Sequence, residues 1–247
     1  MVEAALWGFV GGAALMIGAL IGLSLPVPIR IVGLVMGFGV GVLISAVAFE
    51  LTGAAYDRAG PVPVVLGLSA GALTFFAGDW VIDRKGGESR KDPTGTDAGA
   101  GSSAATSLVL GALLDGIPES AAIGVSLVGG GSVGIAVVIA VFLSNIPEAL
   151  SASAGMKRDG RSVGYIVGLW ALVVMASTIA AALGYGLLGG AGETTLAVTE
   201  TFAAGAVLTM LADTMVPEAV GHAGAAVGLA CVTGFICSFL LSMSGGV

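Results

Sequence analysis

Charge is scarce in this 247-residue chain, with Asp, Glu, Lys and Arg together making up only 10% of it. A soluble globular domain normally devotes about a quarter of its residues to those four types, so a water-exposed surface is excluded. Histidine occurs once, at His222, which rules out histidine-rich metal centres and an H-E-x-x-H protease helix. No G-x-G-D sequence occurs, and the segment around Ser126 lacks the G-x-S-x-G of a nucleophile elbow. These gaps argue against an enzyme. The two cysteines, Cys231 and Cys237, share one apolar run at a spacing that suits neither a disulfide framework nor a C-x-x-C metal site, leaving packing as their role. Aromatic residues, at 6%, are too few to cradle an organic cation.

What the chain does have is apolar length. Hydrophobic residues make up 56% of it, 42 residues are glycine, and mean hydropathy is +1.04. Runs of roughly 20 apolar residues suffice to cross a bilayer. They are read at 4–23, 31–52, 62–82, 105–128, 132–155, 163–188, 195–216 and 223–243, separated by Gly, Pro or charged residues. The expected fold is therefore all-α: a polytopic membrane protein with eight transmembrane helices forming a single domain over 1–247. The first run lacks a basic flank and exceeds a signal-peptide core in length, so it is read as a retained span. Glycine groups such as Gly37-Phe38-Gly39-Val40-Gly41 belong to close helix packing, since no strand precedes them and no P-loop lysine follows.

Basic residues set the orientation, because Lys and Arg accumulate on cytoplasmic loops. Arg30, Arg84, Lys85, Arg90, Lys91, Lys157, Arg158 and Arg161 fall on one side of the eight-span arrangement, and Arg58 alone falls on the other. Both termini are then expected outside a plasma membrane, with 83–104 a mobile, Gly- and Ser-rich cytoplasmic loop. The lipid bilayer is the expected surroundings, and no nucleic-acid partner is expected.

Half of the sixteen acids lie in or at the ends of spans: Glu50, Asp79, Asp115, Glu119, Glu148, Glu200, Asp213 and Glu218. No Lys or Arg lies within a span to neutralise them. An Asp at the centre of a membrane helix costs about 2.5–3.5 kcal/mol even on the mildest scale, and pairing or protonation relieves it. A cation or a proton is the expected partner. Asp79, beside Trp80 at the foot of its span, is instead read as a solvated interfacial acid.

Two stretches concentrate the chemistry. In Leu113-Leu114-Asp115-Gly116-Ile117-Pro118-Glu119, the two acids are spaced i, i+4 and so share one helix face. In Leu143-Ser144-Asn145-Ile146-Pro147-Glu148, Ser144 and Glu148 repeat that spacing. Each proline removes a helical hydrogen bond and frees the carbonyl four residues earlier, at Leu114 and Leu143. Carboxylates beside freed carbonyls at mid-depth are how transporters hold ions.

These duplicated x-P-E helices, together with the spans 36–54 and 201–219, resemble the fourth, fifth, second and seventh helices of the ZIP (Zrt-, Irt-like) family of divalent metal transporters. The resemblance covers nearly the whole chain. It implies two inverted three-helix repeats around a central helix pair, and metal movement into the cytoplasm. Where the family carries H-N-x-P-E-G and H-E-x-P-E/H-G, this chain has Asp115-Gly116-Ile117-Pro118-Glu119-Ser120 and Ser144-Asn145-Ile146-Pro147-Glu148-Ala149. Both histidine ligands are gone. The expected ligand set is Asp115, Glu119, Glu148, Asn145 and Ser144, at one metal site and not two. Carboxylate and amide oxygens suit harder ions than imidazole does, so zinc, manganese and ferrous iron all stay open as substrate. No bound cofactor is expected, and homodimerisation is left open. The alternative reading is a non-transporting, metal-sensing or structural membrane protein. Among the outlying acids, Glu50 and Glu200 are expected toward the outside and Asp213 and Glu218 toward the cytoplasm, with Glu218 and His222 four apart.

Overall fold

The computed structural model describes residues 1–84, 102–128 and 135–244. The loop expected at 83–104 falls largely outside them. Every regular element among the described residues is helical. Helix α1 runs Val2–Ser24 without a breaker and stops where Leu25 turns extended (φ −118°, ψ 138°) ahead of Pro26. A residue preceding proline is pushed out of the helical region. The Pro-Val-Pro connection hands over at Pro28 to α2 (Ile29–Ala46), a π-helical stretch (Val47–Gly53) and α3 (Ala54–Ala59). Gly60, at φ 77°, closes α3, and Pro61 opens α4 (Pro61–Ile82), the chemistry expected of a helix stop followed by a helix start.

Next come α5 (Ser102–Ser126) and α6 (Ile135–Arg158), each continuing through its internal proline, Pro118 or Pro147. Ser162 caps α7 (Val163–Leu188) by accepting a hydrogen bond from the Tyr165 backbone N–H at 3.2 Å. Then follow α8 (Glu193–Met210), a second π-helical stretch (Leu211–Met215), α9 (Val216–Ala223) and, beyond Gly224 at φ 64°, α10 (Ala226–Ser244).

Seven helices among the described residues are long and apolar enough to cross a membrane, two of them the 31-residue continuous helices Ile29–Ala59 and Glu193–Ala223. Both extend past the expected span ends at 52 and 216, each continuing through a π-helical stretch. The expected span at 105–128 corresponds to α5, which is not among those seven.

The distribution of side chains is that of a multi-pass membrane protein. Large apolar groups point outward, with Leu73 at 68% exposure, Leu187 at 78% and Leu229 at 76%, while glycine and alanine fill the contacts between helices. Gly18 and Gly22 of α1 lie directly against the Ile146 and Leu150 carbonyls of α6, where no side chain would fit. Gly124 of α5 and Gly184 of α7 make the corresponding approach to the Ala181 and Ala121 carbonyls. Helix α1 thus packs on α6 and α7, α5 on α7 and α8, α4 on α8, and α10 on α2.

Candidate functional site

Helices α5 and α6 carry the expected site residues into the middle of the bundle. On α5, Glu119 is 3% exposed and Asp115, one turn earlier, is half-buried. Their i, i+4 spacing on one continuous helix puts both carboxylates on the same face. Ile117, between them in sequence, points outward at 45% exposure, so the acids face the protein and not the lipid. Gly116 lies against α7, where a side chain would meet the Ser177 hydroxyl at 3.3 Å.

On α6, Ser144 and Asn145 are buried and Glu148 is half-buried. Ser144 Oγ donates to the Val141 carbonyl at 3.0 Å, and its backbone lies against Gly39 of α2. Asn145 Nδ2 donates to the Gly11 carbonyl of α1 at 3.2 Å, which fixes α6 to α1 and commits one end of the amide. Both polar residues therefore already have work within the bundle. Among the described residues, no group of three or more His, Cys, Asp or Glu side chains comes together as a metal cage. Asp115 and Glu119 form a pair; Glu148 does not complete a three-acid cluster with them.

Two outlying acids depart from the sequence reading. Glu200, expected without a basic partner, is buried and receives Arg58 Nη1 at 3.0 Å on both carboxylate oxygens. Arg58 lies outside its apolar run, but α3 prolongs the helix and brings the guanidinium to α8. Asp79, expected to be solvated, is 4% exposed, while the neighbouring Trp80 faces outward and stacks under the Arg84 guanidinium at 3.9 Å. The burial reflects helix rotation: α4 turns Asp79 toward the bundle and Trp80 away. Glu218 and His222 lie four apart on one helix, α9, as expected, and Glu218 also accepts a hydrogen bond from Ser151 Oγ of α6 at 2.8 Å. His222 Nδ1 is buried with no hydrogen-bond partner among the described residues. Glu50 is half-buried and Asp213 exposed, each within one of the π-helical stretches, a backbone irregularity frequent at functional sites.

Sequence reasoning missed Arg58 and Ser151 as partners because both contacts join residues far apart in the chain. It also passed over Gly67-Leu68-Ser69-Ala70-Gly71, which spells G-x-S-x-G. That segment lies inside α4 with both glycines against α8 and Ser69 facing outward, so it is a packing stripe and not a strand-to-helix elbow. No protein-family model matches the chain, and no curated protein is significantly similar to it.

Proposed function

We propose that the chain is a divalent-cation permease of the plasma membrane, of the ZIP type, carrying zinc, manganese or ferrous iron to the cytoplasm. Glu119 carries this reading. It is a carboxylate at 3% exposure inside a membrane-spanning bundle, with no basic partner among the described residues and with Asp115 one turn away on the same helix. A buried carboxylate such as Glu119 costs several kcal/mol unless positive charge or a proton joins it. A mobile divalent ion meets that need and leaves again. Glu148, Ser144 and Asn145 stand on the neighbouring helix as further oxygen donors.

The packing supports two inverted three-helix repeats around α5 and α6. Contact of α1 with α6 is matched by α7 with α5, of α4 with α8 by α10 with α2, and of α2 with α6 by α8 with α5. The middle member of each triplet carries a π-helical stretch, at Val47–Gly53 and Leu211–Met215. Basic residues at one end, with Arg58 at the other, support a cytoplasmic face at the end where α6 terminates.

The test is flux. Protein reconstituted in liposomes with a metal-sensitive dye inside should admit at least one of the three ions, and Glu119→Gln should abolish the signal while leaving the folded protein intact. The alternative is a non-transporting, metal-sensing or structural membrane protein. Calorimetric binding of an ion without flux would select that alternative.

A further inference from the structure

A cavity of about 620 Å³ opens where α1 ends, the Leu25–Pro28 connection crosses, α2 begins and α6 finishes. Its walls are apolar, with Leu25, Val32 and Leu150 among them, and its polar groups include Ser151, Lys157 and Arg158. Lys157 Nζ donates to the Leu23 carbonyl at 2.6 Å and so braces the rim between α1 and α6. Arg158 forms no ion pair among the described residues. Among the described residues no acid lines the cavity, Glu218 standing behind Ser151 as the acceptor of its hydroxyl, so the two positive charges at the wall face a space that a divalent cation would avoid. An inorganic anion, conversely, would gain nothing from the hydrocarbon walls. The helices end here, which puts the cavity at the depth where headgroup meets acyl chain, on the basic side of the bundle. Its volume lies within the roughly 300–1,000 Å³ range of small-molecule sites.

We propose that this cavity binds an anionic phospholipid, with the phosphate on Arg158 beside Lys157 and the first acyl carbons on Leu25, Val32 and Leu150. The ligand bridges the end of α1, the start of α2 and the end of α6, adding to the Val32–Leu150 packing and the Lys157 contact that already join them there. The proposal is independent of whether the bundle moves metal.

Full-length protein in detergent is titrated with phosphatidylglycerol, phosphatidylcholine, and glycerol phosphate or inorganic phosphate. Retained lipid is read by native mass spectrometry and stability by thermal unfolding. Phosphatidylglycerol should be retained and raise the unfolding temperature; phosphatidylcholine has the same phosphate but adds a choline cation that cancels its charge and is repelled by Arg158 and Lys157, so it should bind at least about tenfold more weakly. Arg158→Gln should reduce phosphatidylglycerol binding by a similar factor, and Arg84→Gln, equally basic but outside the cavity, should not. Leu150→Trp, which fills the space and keeps the charge, should displace the lipid as well. Equal retention of both lipids, an undiminished affinity in folded Arg158→Gln, or full competition by inorganic phosphate would each overturn the assignment.

Discussion

Removing one side of the Arg58–Glu200 pair should cost very different amounts depending on which side is removed. Arg58 Nη1 lies 3.0 Å from each carboxylate oxygen, and the side-chain exposures are 33% for Arg58 and 4% for Glu200. The pair is lopsided: the anion is sealed in and the cation half reaches water. Breaking a fully buried pair typically costs about 3–5 kcal/mol, whereas exposed pairs are worth about 0.2–1 kcal/mol. Arg58→Gln strands the buried carboxylate, so its cost should lie toward the first figure, discounted for the water already near the guanidinium, at about 2 kcal/mol. Glu200→Gln leaves an arginine that swings into solvent, at about 1 kcal/mol.

The double substitution removes the stranded charge and should cost little more than Glu200→Gln alone, giving a coupling of about 1–2 kcal/mol. Denaturant unfolding in detergent, followed by the fluorescence of the three tryptophans, measures all four proteins on one scale. If Glu200→Gln proves as damaging as Arg58→Gln, or if the two effects simply add, the asymmetric-burial reasoning is wrong.

Other contacts give shorter tests. Ser151→Ala removes the donor to Glu218 and should lower stability by about 1–2 kcal/mol in the same unfolding assay. Gly124→Ala pushes a methyl onto the Ala181 carbonyl and should cost about 1–3 kcal/mol, whereas Gly168→Ala, with nothing nearby, should stabilise α7 by about 0.5–1 kcal/mol. Asn145→Ala frees the Gly11 carbonyl, and a loss of about 1 kcal/mol is expected together with looser α1–α6 packing, read as faster backbone hydrogen exchange in both helices.

The helices were legible because their causes are local. Apolar runs longer than a bilayer, Pro26 and Pro28, Gly60 before Pro61, and Gly224 all sit in the sequence where the chain stops and restarts helix. The acids of α5 were legible for the same reason, since an i, i+4 spacing fixes a shared face whatever the surroundings. The rest depends on which helices become neighbours. Glu200 looked unpaired because its partner lies 142 residues away on a helical extension that the hydropathy pattern does not mark. Asp79 looked solvated because proximity to a span end was taken for access to water; helix rotation, which that proximity does not fix, decides instead. The π-helical turns at Val47–Gly53 and Leu211–Met215 carry no breaker at their starts, and they shift every later residue around the helix axis.

On the proposed reading of α5 as the ion site, charge balance adds what counting ligands alone does not. Asp115 and Glu119 together hold two negative charges when ionised, so a divalent ion between them makes a complex with no net charge. Burying a net charge at mid-depth is what makes ions expensive in a bilayer, and a neutral complex escapes most of that cost. Adding Glu148 as a third ionised ligand would restore a net negative charge and require a proton as well. The absence of a three-acid cluster among the described residues is therefore compatible with a site that passes its ion on. A two-carboxylate site must complete its coordination from neutral oxygens, such as hydroxyl, amide, carbonyl and water. Such a donor set discriminates by ion size and coordination number and not by affinity for nitrogen or sulfur, which places manganese and ferrous iron on closer terms with zinc than imidazole ligands would allow.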